Sequence, residues 1–339
     1  MPKRLAIGVG GGRTPAEHEQ AVQRVQIADE VGVESVWSGE AWSRDAFTTL
    51  TELAAKTQRI GLGTNIVNVY SRSAGLIAMT AATLDQVSGG RLTLGLGSSG
   101  ANVIEHLHGI PFEKPLRRLR EYVEIINLLM AGEPLNYDGE IFHLQRGFTF
   151  RSQGFTPLRP HIPIYIAAIT PASIRQTAQI ADGIIPIYWP KEHFATLAKT
   201  LAEEAAKAGR PADAVTIAPQ IQVYLTDAVD EEEQRQRARH PIAYYIGRMG
   251  RFYAEMLARF GFEEEVAKVQ AATAERDLAA AHAAVSDRLV DATAIIGPLD
   301  ACAEQLDERR ALGGALPILN FNPQPEPERA RTVYERLLR

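Results

Sequence analysis

The chain has 339 residues, awkward for two average domains and long for one, since simple cores usually stop growing near about 250 to 300 residues. At 45% hydrophobic and 23% charged it has ordinary globular composition, which excludes disordered, collagen-like and fibrous chains. Lys plus Arg (36) falls short of Asp plus Glu (41), and the resulting net charge of −5 argues against a nucleic-acid partner and leaves small-molecule chemistry as the expectation.

In chain order, residues 5–9 form an apolar strand candidate followed by glycines. Thr14 then stands three residues before Glu17 in a capping-box arrangement, and Ala21, Val25, Ala28 and Val31 continue it as a helical stripe. Strands are expected at 34–37, 59–66 and 91–95, with helices at about 46–56, at 74–87 and around Tyr122, Ile125, Ile126 and Leu129. These strands are apolar throughout rather than alternating, which is the pattern of a parallel sheet covered by helices on its faces. Residues 131–162 break the rhythm with Gly132, Pro134, Asp138-Gly139, Gly147, Gly154, Pro157 and Pro160, and read as a loop or small hairpin insertion.

The alternation resumes with strands at 163–168, 183–187, 216–225 and 315–321 and helices at 171–180, 193–208, 298–312 and 326–339. Between the seventh strand and the helix at 298 lies a charge-laced helical stretch, about 231–284, too long for a connector and expected to be an insertion of two or three helices at the rim. Eight strands with at least as many helices predict a single α/β domain, a (β/α)8 TIM barrel with two insertions. No apolar run approaches the roughly 20 residues of a membrane span, and the N-terminal segment has too short an apolar stretch for a secretory signal. A single cysteine, Cys302, excludes an internal disulfide and suits a small buried hydrophobe. A cytoplasmic protein is expected.

In such a barrel the chemistry sits at the C-terminal ends of the strands, so the segments of interest are 10–13, 38–45, 65–72, 97–108, 168–171, 186–190, 224–227 and 320–323. Gly95-Leu96-Gly97-Ser98-Ser99-Gly100 fits G-x-G-x-x-G, but a dinucleotide fold wants that motif in its first βαβ unit, and three units precede it here. As a barrel loop, the same glycines let backbone approach a flat ligand. Asn65 and Ile66 end the third strand, where a polar strand cap is the ordinary reading. Glu40 is either a general acid or hydrogen-bond acceptor or a solvated loop charge. His106 and His108 suit acid or base work near neutral pH, yet at i and i+2 they share no helix face, and no partner has zinc-ligand spacing, so no metal is expected.

Taken together, Ser35-Val36-Trp37-Ser38-Gly39-Glu40-Ala41-Trp42, then Gly61-Leu62-Gly63-Thr64-Asn65-Ile66, then Ser88-Gly89-Gly90-Arg91-Leu92-Thr93-Leu94-Gly95-Leu96-Gly97-Ser98-Ser99-Gly100 resemble the bacterial luciferase-like superfamily. Within it the chain is most similar to the coenzyme F420-dependent oxidoreductases, the branch with methylenetetrahydromethanopterin reductase. The resemblance implies a barrel enzyme, commonly a homodimer, with a deazaflavin or flavin across the strand ends. It further implies a non-prolyl cis peptide, here at Asn65–Ile66, supporting the ring from behind, and an acidic residue near the deazaflavin at Glu40. Ser98 and Ser99 would contact the ring and its ribityl chain, and the backbone at Ala168, Ile169 and Thr170 would hold the phosphate, at a helix N-terminus suited to anions. The sugar-phosphate dehydrogenases of the superfamily carry an acid-base pair where this chain has Ala41 and Gly100, so their mechanism is not carried over. The expected function is hydride transfer between F420 and a small organic substrate, with Glu40, His106 and His108 as proton-transfer candidates. An FMN-dependent monooxygenase and a non-catalytic cofactor-binding protein are the alternatives.

Overall fold

The computed structural model describes residues 3–10 and 12–339, so Met1 and Pro2 of the N-terminal segment and Gly11 of the first mouth segment lie outside it. Its barrel strands are β1 (Ala6–Gly8), β2 (Ser35–Ser38), β3 (Gly61–Thr64), β4 (Leu92–Gly97), β5 (Ile164–Ile166), β6 (Gly183–Ile184), β7 (Gln220–Leu225) and β8 (Ile318–Phe321). β1 to β6 pair in parallel in sequence, β7 pairs with β8, β8 returns to β1 through Ala6 opposite Ile318, and between β6 and β7 the chain is joined by a single parallel bridge, Ile187 with Gln220. The expected barrel is therefore the architecture found.

Helices α1 (Pro15–Val31), α2 (Ala46–Lys56), α3 (Ala74–Ser88), α4 (Ala101–His106), α5 (Pro115–Ala131), α6 (Pro171–Ile180) and α7 (Phe194–Lys207) follow the first six strands. The Thr14–Glu17 box starts α1 as expected: the Glu17 N–H donates to Thr14 Oγ1 at 3.2 Å and the Thr14 N–H to the Glu17 carboxylate at 3.1 Å. The helical stretch after β7 holds α8 (Glu231–Arg248), α9 (Arg251–Arg259), α10 (Glu263–Ala274), α11 (Leu278–Ala283) and α12 (Asp287–Thr293), more helices than the two or three expected. Helices α13 (Leu299–Ala311) and α14 (Pro327–Leu338) complete the wrap.

Two corrections concern the seventh strand. The expected run 216–225 is divided: Thr216–Ile217 pairs with β6, whereas β7 begins at Gln220, because Pro219 has no N–H to offer the ladder. The upper half of β7 then pairs on its second edge with a strand absent from the sequence reading, Ala294–Gly297, through Val223 opposite Ile295. The helical insertion thus ends by adding an edge strand. The 131–162 segment is a hairpin, Leu135–Asp138 with His143–Phe148, held by buried Glu121. That carboxylate accepts the N–H groups of Glu140 (2.8 Å) and Phe142 (3.0 Å) and Nε of Arg117 (2.8 Å).

Inside the barrel, Ala6, Trp37, Tyr165, Ile185, Ala218, Leu316 and Ile318 form their own packed cluster, separate from the larger core between sheet and helices. Trp37 fits because β3 carries Gly63, where a Cβ would stand 2.3 Å from the indole. No helix among the described residues is long and apolar enough to cross a membrane.

Candidate active site at the barrel mouth

The floor of the mouth follows from the way β3 ends. Asn65 N–H donates to Ser38 O at 2.7 Å and Glu40 N–H to Ile66 O at 3.3 Å, which zips the loops after β2 and β3 together. The Asn65–Ile66 peptide between those bonds is cis, and the chain then rejoins β4 through Val67–Asn68. Ile66 is partly exposed and packs on the interior cluster as its upper lid. Gly97 makes room for it: a Cβ there would meet Ile66 Cδ1 at 2.9 Å and Ala167 Cβ at 3.4 Å. One layer below, Gly95 is pressed against the β3 backbone, with Thr64 Oγ1 both donating to Gly95 O and accepting from its N–H, each at 2.7 Å. The result is a floor of Ile66, Gly97 and Ala167 with almost no projecting side chain, suited to a flat ring.

Glu40 is not a solvated charge. Its side chain is only 12% exposed and makes a two-pronged ion pair with Arg72, Nη1 to Oε1 at 2.6 Å and Nη2 to Oε2 at 2.9 Å. Its Oε2 also accepts Ala46 N–H at 3.1 Å, and Arg72 reaches on to Asp45, the N-cap of α2. The hydrogen bonds that Arg72 donates to Glu40 raise the affinity of the guanidinium for its proton despite its burial. With both oxygens engaged, Glu40 acts as a clamp joining the β2 and β3 loops. Arg72 was missed in the sequence, where its only signal was a cation in a mouth segment next to one carrying two acids.

Ser98 and Ser99 are half-buried at the end of β4, with Ser99 at φ 58°, and the Ser98 hydroxyl donates to Ser99 O at 3.3 Å. In the β5 loop the Thr170 N–H donates to Ser173 Oγ at 3.0 Å and the Ser173 N–H to Thr170 Oγ1 at 3.1 Å, so Thr170 caps α6 and its amide is not available to a phosphate. The amides of Ala168 and Ile169 bond to no described residue and remain the donors of that loop.

His106 and His108 are not brought together with Glu40 by any hydrogen bond among the described residues. His106 is exposed at the end of α4, whereas His108 is half-buried and its Nε2 is buried without a partner. On the far side of the mouth, at the ends of β6, β7 and β8, Trp189 Nε1, the Tyr224 hydroxyl and Asn320 Nδ2 are also buried without partners. All three lie in the mouth segments expected from the sequence, at 186–190, 224–227 and 320–323, although none was singled out there.

A family described as luciferase-like monooxygenase matches residues 5–316. A Mycobacterium tuberculosis protein named a coenzyme F420-dependent oxidoreductase is 32% identical over 333 residues, 94% of each chain. The 5,10-methylenetetrahydromethanopterin reductase of Archaeoglobus fulgidus is 32% identical over 298 residues, 85% of each. Among solved structures, the coenzyme F420-dependent tetrahydromethanopterin reductase of Methanopyrus kandleri superposes with a TM-score of 0.79 over 99% of both chains at 21% identity.

Proposed function

The chain belongs to the luciferase-like monooxygenase family, and from that premise we propose that it is an F420-dependent oxidoreductase moving a hydride between the deazaflavin ring and a small organic substrate. The observation that carries this reading is the floor of Ile66, Gly97 and Ala167, levelled by glycine and backed by the interior core. The names of relatives at 32% identity support F420 as the group that lies on it.

When bound, the deazaflavin supplies the carbon that donates or accepts hydride. The chain's own work is positioning. Asn65 and Ile66 back the ring, Ser98 and Ser99 line its edge, and the Ala168 and Ile169 amides at the start of α6 face the phosphate. Glu40, through Arg72, holds the two loops that set the ring's height. A proton that must move is assigned to His108, whose buried Nε2 lacks a partner, ahead of exposed His106 and clamped Glu40.

A homodimer is part of the same proposal. Helix α3 exposes Leu76, Met79 and Val87 at 46%, 54% and 53%, with no charged residue on that face, beside an apolar hollow of about 420 Å³ rimmed by Phe148. Such a surface can meet itself across a two-fold axis without like-charge repulsion.

Titration with F420 and separately with FMN, followed by ligand fluorescence, tests the cofactor assignment. Saturable F420 binding with weak or no FMN binding is expected; tight FMN binding with none of F420 would overturn it in favour of an oxygen-activating monooxygenase.

A further inference from the structure

A line of polar contacts ties α8 to the segment that holds α11 and α12, and the two run antiparallel. Arg235 meets Asp291 at 2.9 Å, Arg239 meets Asp287 at 2.7 Å, and His240 meets His282 with ring centroids 4.9 Å apart and planes at 84°. The first two contacts are ion pairs. The third sets two imidazoles against each other, one from each helix.

Both rings reach solvent, since His240 is exposed and His282 half-buried. The histidines whose rings hydrogen-bond to described residues are His18, His143 and His161, so every ring nitrogen of this pair is left without such a partner. Partial burial first, and then the neighbouring His240, hold the His282 imidazole below its ordinary value, which keeps it uncharged at neutral pH with a nitrogen lone pair to give. The arginines of α8 that flank His240 are balanced by carboxylates: Arg237 by Glu233 at 2.6 Å, and Arg239 by Glu232 at 3.1 Å and Asp287 at 2.7 Å.

The spacing of the rings is that of two ligands on one ion. Zinc lies about 2.0–2.1 Å from an imidazole nitrogen, which at a tetrahedral angle sets two ligating ring centres about 5 Å apart. The observed 4.9 Å meets that figure with both helices where they stand. Turning each ring about its Cβ–Cγ bond, a soft torsion, aims a nitrogen at the common point and leaves the ring centre nearly in place.

We infer that His240 and His282 form an open two-histidine site that takes a divalent transition-metal ion of the imidazole-binding class, Zn²⁺, Ni²⁺ or Cu²⁺, and staples α8 to α11. No third His, Cys, Asp or Glu joins them among the described residues, so the other positions of the ion fall to water. Mg²⁺ and Ca²⁺, which take oxygen ligands, are not held there. Helix α8 ends in the Arg248 carbonyl that accepts Asn102 Nδ2 at 3.4 Å, beside the Ser98–Ser99 loop, so the staple acts on a helix that touches the mouth. The site stands apart from the cofactor reading and does not depend on it.

The test uses the full chain without an affinity tag, stripped of metal by a chelator and titrated with Ni²⁺ and with Mg²⁺ by calorimetry. Wild type is expected to bind Ni²⁺ saturably, with one strongest site, and not Mg²⁺. His240→Gln and His282→Gln should each weaken that site at least about tenfold, and the double variant hardly further, because a chelate is lost with either arm. Saturating Ni²⁺ should raise the melting temperature of wild type and not that of His240→Gln, whose exposed position leaves the metal-free fold intact. With Cu²⁺, electron paramagnetic resonance should show two coupled imidazole nitrogens in wild type and fewer in either variant. No Ni²⁺ binding by wild type, unchanged affinity in either single variant, or single losses that add in the double variant would each overturn the inference. The chain has 8 histidines, so tight binding that survives in the double variant belongs to the others and counts against the pair.

Discussion

Replacing Glu40 by Gln distinguishes a clamp from a proton donor. The native carboxylate accepts two bonds from Arg72, at 2.6 and 2.9 Å, and one from Ala46 N–H at 3.1 Å. Glutamine keeps a single oxygen, so its NH2 must face one of those donors, and the two-pronged pairing is lost. Glu40 and Arg72 are 12% and 18% exposed, so the pair is less screened than a surface one, and losing one or two charge-assisted bonds costs about 2–4 kcal/mol. With an unfolding entropy of about 2.1 cal/mol/K per residue over 339 residues, the melting temperature should fall by about 3–6 °C. The loops at 40 and 65–72 should loosen together, weakening F420 about tenfold with a smaller effect on kcat. Calorimetric melting, a fluorescence titration and steady-state kinetics read the three quantities. A proton donor would show another pattern, kcat down by about 10²–10⁴ with melting temperature and affinity unchanged, and that result would refute the clamp.

Gly95→Ala should not yield folded protein, because the new Cβ would lie 1.8 Å from the Thr64 carbonyl oxygen, a backbone atom that cannot move aside; soluble expression and circular dichroism check this. Gly97→Ala is milder, since the clash is with the end of the Ile66 side chain, and should cost about 1–3 kcal/mol while raising that side chain into the mouth, measured as lost F420 affinity. Burial tends to raise the pKa of Glu121, but the amides of Phe142, Glu140 and Ile141 outweigh it and hold the carboxyl below its ordinary value. Its contribution is therefore fully present above the usual glutamate range and lost as pH falls through the lowered value. Protection factors for hydrogen exchange in the 135–148 hairpin, taken relative to the intrinsic rate at each pH, should fall in acid, and Glu121→Gln should remove most of that pH dependence. Met79→Lys on the uncharged face of α3 should leave melting of the monomer intact and convert dimer to monomer by light scattering; a persistent dimer would place the interface elsewhere.

Much of the barrel was legible because its signals are local. The α1 cap depends on two residues three apart, α6 has the bounds read from the sequence, 171–180, and the apolar strands carry the pattern of burial on both faces. Ala294–Gly297 escaped because a four-residue apolar run between helical patterns has no periodicity of its own and becomes a strand only when β7 offers it an edge. The Thr170 cap was hidden by its partner, Ser173, which closes the box in place of the usual acid or amide.

The site divides in the same way. The sequence by itself determined which loops lie at the mouth, that the loop after β4 is rich in glycine, and that Asn65 and Ile66 end the third strand, since these follow from strand order and glycine position, whereas the turn aside there was implied only by the family resemblance. What Glu40 does was decided by the tertiary structure. Arg72 lies 32 residues away, and only the parallel pairing of β2 with β3 puts the two loops in contact. The aromatic contacts of the loop after β6 are more remote still, joining Tyr188 to Tyr245 of α8 and through it to Tyr253 of α9, and no local pattern reports them, because convergence is a property of packing rather than of spacing along the chain.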